Sequence, residues 1–324
     1  STAGATGIYV GNEEAKNKDT ARGVGIALVN KSNLTTGAGT IELEGAAGGS
    51  LADFAGTNTA TANNMSPTLT LALGGNDIAT GNNGIGIYAE DGTIKVNSDK
   101  FTVETKDNGV GLWGMDNTLV ANNAKDANGY SAHNKTFQYN YNGGMKKNGF
   151  AMAFGAKHGG TSKNYMDIKF NNQGSSAGTT IVDLQHTTRT KGTEAGIVGI
   201  LVNTNNGTDK VYNYGKIEEE DTTSKTSLRA YGALVNKGTF VNYGDIKLAN
   251  SLNPDFAKNV TTADMDKVNV GIRANSTEGR IENYADITIG DNSATSTTTA
   301  KNIGSWAIYG YNIKTGKKQD GTNK

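Results

Sequence analysis

The sequence predicts an all-β chain, a right-handed parallel β-helix (β-solenoid) with protruding loops. Three observations lead to this fold class. Short motifs recur along the chain, apolar and polar residues alternate within them, and the composition is rich in glycine (44 of 324 residues) but holds two prolines. Repeated units are typical of solenoids, and alternation with period two is typical of strands. Proline is rare in paired strands because it lacks a backbone N–H.

The clearest repeat is a strand motif built around an Asn-Tyr pair. It occurs three times in the C-terminal half, as Val211-Tyr-Asn-Tyr-Gly-Lys-Ile217, Phe240-Val-Asn-Tyr-Gly-Asp-Ile246 and Ile281-Glu-Asn-Tyr-Ala-Asp-Ile287. Because equivalent residues of stacked strands lie about 4.8 Å apart, we expect Asn213, Asn242 and Asn283 to form a ladder of amides. The tyrosine that follows each asparagine should stack in an aromatic column, and the isoleucine that ends each motif should face the core.

A second motif precedes each copy of the first. It reads Gly199-Ile-Leu-Val-Asn203, Gly232-Ala-Leu-Val-Asn236 and Gly271-Ile-Arg-Ala-Asn275, and we expect its asparagines to form a second ladder. Looser copies of both motifs begin at Gly25 and Gly86. The spacing varies, with 29 residues from Tyr214 to Tyr243 and 41 from Tyr243 to Tyr284. A stack of strands tolerates this because its corners can carry loops of different length at small entropic cost.

Composition and charge exclude several functions. The chain has no cysteine, which excludes disulfides, thiolate metal sites and cysteine nucleophiles. Its 31 basic and 31 acidic residues cancel, which argues against a nucleic-acid partner, because such a partner needs a basic excess. No run of 18 apolar residues exists, so we expect no membrane insertion by this segment.

We interpret residues 1–324 as a single β-helix segment. Irregular insertions are expected at about 46–83, 117–190 and 249–268, where the repeat is interrupted. The chain begins at Ser1 without a methionine or a leader sequence, so we expect it to be a piece of a longer protein.

The ligand-binding candidates lie in the second insertion, which is rich in aromatic residues. Aromatic and amide side chains alternate along Phe137-Gln-Tyr-Asn-Tyr141. If the aromatic side chains face outward, Phe137, Tyr139 and Tyr141 form a flat stacking platform for a sugar ring or a protein partner, with the amides of Asn140 and Asn142 beside it. If they face inward, they belong to the core.

One pair of carboxylates is a candidate for catalysis. Asp245 and Asp286 occupy the same position in two repeats, and on adjacent strands they would lie about 5 Å apart, the separation found in retaining glycosidases. Lys216 holds this position in the neighbouring repeat, which favours ordinary surface charges. We therefore predict no catalytic residue.

The remaining motifs favour structural roles. His133, His158 and His186 lack metal-ligand spacing, so no metal or cofactor is predicted. Gly74-Gly-Asn-Asp-Ile78 resembles one unit of a calcium-binding repeat, but it occurs once, so we expect a plain turn. The acidic run 218–221 is expected to be a solvated loop. Both tryptophans, Trp113 and Trp306, are expected in the core or at its rim.

Two units carry a resemblance to a known family: Gly86-Ile-Tyr-Ala-Glu-Asp-Gly-Thr-Ile-Lys-Val96 and Val241-Asn-Tyr-Gly-Asp-Ile-Lys-Leu248. With the absence of cysteine and the scarcity of proline, they resemble the passenger domains of Gram-negative autotransporters, the adhesins of type V secretion. The resemblance covers roughly 1–112 and 196–312. It implies that the chain belongs to a larger passenger at the cell surface, tethered to the outer membrane through a C-terminal barrel outside this chain.

The resemblance also implies a function. The chain would be a non-enzymatic, rigid stalk that serves cell adhesion and virulence, with loops that bind a host-cell surface protein or glycan, or other bacteria. We expect a monomer. Two alternatives stay open: a polysaccharide-degrading β-helix enzyme (a lyase or glycosidase), and a structural spacer without a ligand.

Overall fold

The computed structural model describes residues 8–10, 24–28, 33–37, 40–44, 68–70, 78–80, 84–90, 93–96, 100–106, 108–122, 125–126, 129–130, 135–141, 148–156, 159–172, 196–220, 229–248, 269–290 and 306–316. Within these ranges every regular element is a β-strand, which confirms the all-β prediction. In this part of the chain, no helix has the length and apolarity needed to cross a membrane.

Most of the strands fall into consecutive groups, here called rungs, and each rung contributes to three sheets, A, B and C, in that order. Rung 1 comprises β1 (Ile8–Val10), β2 (Val24–Leu28) and β3 (Asn33–Gly37), followed by β4 (Thr40–Glu44) and β5 (Thr68–Thr70). Rung 2 comprises β6 (Ile78–Thr80), β7 (Ile85–Glu90) and β8 (Thr93–Val96). Rung 3 comprises β9 (Lys100–Thr105), β10 (Val110–Met115) and β11 (Leu119–Asn122), followed by a hairpin of β12 (Lys125–Asp126) and β13 (Gly129–Tyr130).

In the described residues from 135 onwards, the rungs follow each other without extra strands. Rung 4 comprises β14 (Thr136–Tyr141), β15 (Asn148–Gly155) and β16 (Thr161–Asn164), and rung 5 comprises β17 (Asp167–Asn172), β18 (Gly196–Asn203) and β19 (Lys210–Asn213). Rung 6 comprises β20 (Ile217–Glu219) and the long β21 (Arg229–Asn242), which serves both sheet B and sheet C. Rung 7 comprises β22 (Ile246–Leu248), β23 (Val270–Ala274) and β24 (Gly279–Asn283), and rung 8 comprises β25 (Ile287–Ile289), β26 (Trp306–Tyr309) and β27 (Asn312–Thr315).

The rungs stack through parallel pairing in all three sheets. Sheet A has eight strands, and sheets B and C join into one sheet of 17 strands because β21 runs through both. The repeated isoleucines set the register, with Ile217 opposite Ile246 and Ile246 opposite Ile287. At the N-terminal end, β4 and β5 pair antiparallel beyond β3 and so extend the edge of sheet C. The prediction of stacked parallel strands is confirmed.

The core lies between the three sheets and is filled by the alternate, inward-facing residues. In sheet A the predicted isoleucines follow this rule: Ile217 and Ile246 are buried, and Ile287 packs against the same core. Large aromatic side chains fill the middle rungs and branched aliphatic ones the later rungs. Two residues of sheet A place polar side chains in the inward rows: Glu219 is 7% exposed and pairs in register with the core residue Phe170, and Thr105 is fully buried and pairs with Tyr141.

The amide ladder is confirmed and has a fourth member, Asn164. The side-chain Nδ2 of Asn164 donates to Oδ1 of Asn213, Asn213 to Asn242 and Asn242 to Asn283, each at 2.8 Å. Each Nδ2 also donates to the carbonyl two residues further on, at 2.7 to 2.8 Å. These asparagines are buried, so the ladder satisfies amide groups that would otherwise be costly to bury.

The prediction of a second ladder is confirmed for two residues and wrong for the third. Nδ2 of Asn275 donates to Oδ1 of Asn236 at 3.1 Å. Asn203 does not join them, because a β-bulge after Val202 shifts the register and places Asn203 opposite Lys237.

The expected insertion at 117–190 contains regular rungs. Strands β14 to β17 lie inside it and pair in register with β9, β10 and β11 before them and with β18, β19 and β20 after them. Residues 173–190 of this stretch lie outside the described ranges, as do 249–268 and most of 46–83. In the described residues up to 172 the stack therefore continues through this stretch, and the hairpin of β12 and β13 is an addition between rungs 3 and 4.

Candidate functional site

The aromatic residues expected to form a binding platform face the core instead. Phe137 is 1% exposed, and Tyr139 and Tyr141 are fully buried. The hydroxyl of Tyr139 donates to the carbonyl of Gly109 at 3.2 Å and shares a 2.6 Å hydrogen bond with the hydroxyl of Thr105. Burial raises the pKa of Tyr139 well above that of free tyrosine. The ligand-binding prediction for these three side chains is wrong. Phe137 and Tyr139 continue apolar rows of the core, since their partners on β9 and β17 are Phe101, Val103, Ile168 and Phe170, and Tyr141 is fully buried in the same core.

The amides of the same strand face the other way but are covered. Gln138 is 2% and Asn140 is 7% exposed. Nε2 of Gln138 donates to Oδ1 of Asn140 at 3.3 Å and to Oε2 of Glu220 at 3.1 Å. Asn140 is therefore part of a buried polar network and not of an open platform. Asn142 lies outside the described residues.

The aspartate pair lies on adjacent rungs, but one carboxylate already has a main-chain partner. Oδ1 of Asp245 accepts a hydrogen bond from the backbone N–H of Asp286 at 3.2 Å. Asp167 does the same two rungs earlier in the row, accepting from the N–H of Lys216 at 2.7 Å. These contacts link successive rungs. They support a structural role for the row.

The other charged motifs show no metal-binding cluster. The described ranges contain no group of three or more His, Cys, Asp or Glu side chains that could hold a metal ion. The three histidines and Gly74 to Asp77 lie outside these ranges. The acidic run was expected to be a solvated loop, but its first part is strand β20: Glu219 is buried, and Glu218 lies 3.8 Å from both Lys169 and Lys247 on the neighbouring rungs.

The tyrosine column is confirmed and gains Tyr165 as a fourth member. The ring centroids of Tyr165 and Tyr214 are 4.5 Å apart, those of Tyr214 and Tyr243 5.3 Å, and those of Tyr243 and Tyr284 5.1 Å, with interplanar angles of 8° to 13°. Lys314 lies 5.8 Å from the centre of the last ring. The ring faces are used by the stacking itself, so the column offers ring edges to the solvent.

Two tyrosines of the column have perturbed acidity. Burial raises the pKa of Tyr214 above the ordinary phenol value, and the negative charge that Tyr165 and Tyr243 would carry raises it further. Burial and the neighbouring Tyr284 raise the pKa of Tyr243 in the same way. The column is thus a neutral, stacked support along the corner between sheets C and A.

Residues of sheet B form a groove on its outer face. It has a volume of about 410 Å³, which lies in the range of small-molecule sites. It exists because two small residues of rung 4 lie between larger ones. Ala153 is flanked in register by Trp113 and Leu201, and Gly155 by Met115 and Asn203. Removing bulk at one rung leaves a gap about 10 Å across, two strand spacings wide.

The groove combines an apolar floor with a rim of amides. Its lining residues are Ile85, Asn108, Val110, Trp113, Met115, Phe150, Ala153, Phe154, Gly155, Ala156, Leu201, Asn203 and Asn205. None of these described lining residues carries a charge. Asn108 sits in the turn before β10 with a left-handed φ of 56°, which asparagine tolerates better than most residues. Asn203 and Asn205 are exposed at the end of β18 and just after it.

Trp113 is held in a fixed position at one wall. Its indole Nε1–H donates to the sulfur of Met115 at 3.1 Å. Tyr88, on the preceding rung, contacts the indole edge-to-face with the centroids 6.4 Å apart. On its other side the indole packs against a small buried cluster that includes Val110 and Ala153. The prediction that Trp113 belongs to the core or rim agrees with its half-buried position, whereas Trp306 is 38% exposed at rung 8.

The sequence motifs alone do not reveal the groove. The motif pattern places Trp113, Ala153 and Leu201 at equivalent positions only when the strand at 148–155 is aligned with its neighbours. A signal was available in Asn164-Tyr165-Met-Asp-Ile168, a fourth copy of the Asn-Tyr motif that fixes the alignment of this rung. The exchange of a large for a small residue at position 153 would then have been visible.

Comparisons of the chain with protein-family models, with curated proteins and with solved structures find no match.

Proposed function

We propose that this chain is a non-catalytic segment of a surface-displayed adhesin passenger of the autotransporter kind. The stack of rungs is a right-handed parallel β-helix that acts as a stiff stalk, and the segments that leave it bind a protein or glycan on host cells or on other bacteria. Parallel strands joined by crossover connections are almost always right-handed, which supports this hand.

The observation that carries the proposal is the position of the long connections. Between sheets A and B the connecting segments range from 4 residues (81–84) to 23 residues (173–195). Between sheets B and C they range from none, within β21, to 6 residues (204–209). In repeat proteins, insertions that gather on one side of the stack often form the binding face. Most long segments leave the stack between sheets A and B, and two others, 38–77 and 123–135, leave it between sheets C and A. Variable segments at the edges of a regular stack fit a scaffold that displays binding elements.

The ladders support the stalk role. Backbone pairing ties each rung to the next, and from rung 4 to rung 7 the buried amides and the tyrosine column add to it. A repeat stack of this kind is stabilised by each rung's contacts with its neighbours, so its length can grow without a larger core. A rigid scaffold of this kind holds both ends of a loop in place, so little conformational entropy is lost when the loop binds a ligand.

Binding of coated particles to cells tests the proposal. The purified chain is coupled to fluorescent beads, and their binding to epithelial cells and to bacteria is counted by flow cytometry. A variant in which residues 173–195 and 249–268 are replaced by short Gly-Ser linkers should lose most of the binding and keep the circular dichroism of strands. A matched control replaces 275–278, a short connection between sheets B and C that contributes no residue to the groove on sheet B, and should bind as the parent does.

Two results would contradict the proposal. Beads that bind no cell type would favour a structural spacer. Hydrolysis or cleavage of a polysaccharide by the purified chain, detected as new reducing ends or unsaturated products, would favour an enzyme.

A further inference from the structure

We infer that the outward face of sheet C, from rung 4 to rung 8, binds a sulfated polysaccharide. This inference goes beyond the proposed function, because the surface belongs to the stalk itself and not to the segments that leave it. It depends on the charge of this face, on the spacing of its cations and on the neutral side chains between them.

The outward positions of sheet C carry an excess of positive charge. Side chains alternate along its strands, so Val211, Phe240 and Ile281 face the core and the residues on both sides of each face outward. The charged residues at the outward positions of rungs 4 to 8, here called the basic face, are Lys163, Lys210, Arg280, Glu282 and Lys314. The excess is local, because the whole chain has 31 basic and 31 acidic residues.

Three cations of the basic face have no acidic partner in the part of the chain that the structure describes. Lys314 lies 3.9 Å from Oε2 of Glu282, so these two charges compensate each other. No described carboxylate lies within ion-pair distance of Lys163, Lys210 or Arg280. These three charges are therefore available to an anionic ligand.

The outward face of sheet A shows the contrasting arrangement. There Glu218 lies 3.8 Å from both Lys169 and Lys247, which belong to the rungs before and after it. Charges on sheet A thus neutralise each other from rung to rung. Like charges on one face repel each other, and an anionic ligand on the basic face would relieve this repulsion.

The spacing of the three cations favours a ligand with several anionic groups. Lys210 and Arg280 pair in register with Thr239 from opposite sides, so their Cα atoms lie two strand spacings apart, about 10 Å. Lys163 lies one strand and two residues from Lys210, about 8 Å away. The set covers three strand spacings of the stack, about 14 Å. A single anionic group contacts only part of this set, whereas a linear polyanion contacts all of it.

The fold holds this spacing constant. The strands that carry the three cations, β16, β19 and β24, are each paired on both sides. Between the cations, Thr239 and Val241 are 4% and 1% exposed and form a closed floor at rung 6. A ligand therefore has to order only the ends of the charged side chains, which keeps the entropic cost of binding low.

Neutral hydroxyl groups lie between the cations. Thr161 pairs in register with Lys210, and Tyr212 pairs with Lys163. A hydroxyl both donates and accepts hydrogen bonds, as the hydroxyls of a sugar do. Sulfate groups, like phosphates, form charge-assisted hydrogen bonds with ammonium and guanidinium groups. A chain of sugars with sulfate groups at intervals matches both kinds of side chain.

Other polyanions fit the basic face less well. Single-stranded nucleic acids depend on aromatic faces for base stacking. The ring of Tyr212 lies at 9° to that of Tyr214 in the tyrosine column, so its faces point along the stack towards Lys163 and Val241, and an edge points outward. An acidic peptide that adds a strand needs a free sheet edge, and the strands that carry the three cations are paired on both edges.

Binding to heparin tests the inference. The purified chain is titrated into a fluorescently labelled heparin fragment and followed by anisotropy, with desulfated heparin, dextran, single- and double-stranded DNA and polyglutamate as comparison probes. We expect heparin to bind with a Kd of about 100 μM or below at about 50 mM salt. With three cations engaged, its affinity should fall about 20- to 40-fold between about 50 and 200 mM salt. Desulfated heparin and dextran should not bind.

Variants assign the binding to the basic face. Lys163→Gln combined with Lys210→Gln should weaken heparin binding by about 10-fold or more and make its salt dependence less steep, and Arg280→Gln should weaken it by about 3- to 10-fold. The matched control combines Lys169→Gln with Lys247→Gln, which removes the same side chains and the same charge from sheet A. It should bind heparin as the parent does. Circular dichroism checks that each variant keeps its strands.

A gain in affinity gives a second, independent measurement. Glu282→Gln removes the one carboxylate of the basic face and leaves Lys314 without its acidic partner. The glutamine keeps an oxygen that accepts the hydrogen bond of the Tyr284 hydroxyl. This variant should bind heparin about 2- to 5-fold more tightly, with a steeper salt dependence.

The outcomes that overturn the inference are distinct from those that overturn the proposed function. No binding of heparin, equal binding of desulfated heparin, or tighter binding of DNA or polyglutamate than of heparin would overturn it. So would equal effects of the sheet C and sheet A lysine pairs. If beads coated with the chain adhere to cells but the chain binds no heparin, the inference fails while the adhesin proposal stands. If the basic face binds heparin but the beads bind no cell, the reverse holds.

Discussion

The buried amide ladder allows a quantitative prediction about the stack. Asn242 is fully buried and sits in the middle of the ladder. Its Nδ2 donates to Asn283 and to the carbonyl of Gly244, and its Oδ1 accepts from Asn213. Asn242→Ala leaves three buried groups without the Asn242 side chain as a hydrogen-bond partner: one N–H of Asn213, Oδ1 of Asn283 and the carbonyl of Gly244. At about 1 kcal/mol for each buried group, the lower end of the usual range, the free energy of unfolding falls by about 3 kcal/mol.

The assay is equilibrium unfolding in urea, followed by circular dichroism of the strand signal. Asn275→Ala is the matched control, because Asn275 also bonds to an asparagine of the next rung but is exposed. It should cost less than about 0.5 kcal/mol, as most surface substitutions do. Asn242→Asp keeps the size of the side chain but cannot donate when ionised, and at pH 7 it should cost more than the alanine variant. If Asn242→Ala is no more destabilising than Asn275→Ala, the hydrogen bonds of the buried ladder do not stabilise the stack.

Three further perturbations test other contacts of the stack. A Cβ at Gly232 would lie 2.5 Å from the carbonyl oxygen of Gly271 and from the Ile246 side chain, so Gly232→Ala should lower the melting temperature by an amount equivalent to about 1–3 kcal/mol; Gly207→Ala, which meets one atom at 3.6 Å, is the control and should change nothing measurable. Ile281 and Ile313 pair in register, but Ile281 is 1% and Ile313 is 44% exposed. Ile281→Ala should therefore lower the free energy of unfolding in urea by about 2–5 kcal/mol, and Ile313→Ala should lower it clearly less. Equal losses would contradict the role given to burial. The pKa of Tyr214 is raised in the folded chain, so its contribution to stability is complete below the ordinary phenol pKa of about 10 and is lost as the pH rises above it. Ultraviolet titration should show phenolate forming at a higher pH in the folded chain than in the urea-unfolded chain. Tyr214→Phe should reduce the loss of stability at high pH.

The sequence could predict the ladders because they depend on residues that recur in one motif. Asn213, Asn242 and Asn283 each precede a tyrosine and lie four residues before an isoleucine, so their stacking follows from the repeat alone. Asn164 belongs to the same ladder but follows a strand rich in Phe and Met, which hid its repeat. Asn203 was wrongly assigned to the second ladder because a β-bulge shifts the register by one residue, and no pattern in the sequence around it predicts this bulge.

The direction of side chains was harder to predict than the stack. The alternation along Phe137 to Tyr141 defines two faces but does not say which one is inward. The answer depends on the neighbouring strands, where Phe101 and Ile168 pair with Phe137 and are themselves buried. The groove was hidden for a related reason. It arises because Ala153 is small, and this is recognised only when its rung is aligned with Trp113 and Leu201 on the rungs on both sides.

The uninterrupted strand β21 has a mechanical consequence. In every other rung, a connection separates the strand of sheet B from that of sheet C, so one can detach while the other stays paired. In rung 6 a single run of 14 residues pairs with β18 and β19 on one side and with β23 and β24 on the other. A pulling force along the stack would therefore have to break both sheets at this level together. Under load, unravelling should pause at rung 6, dividing the chain into two segments that yield in sequence.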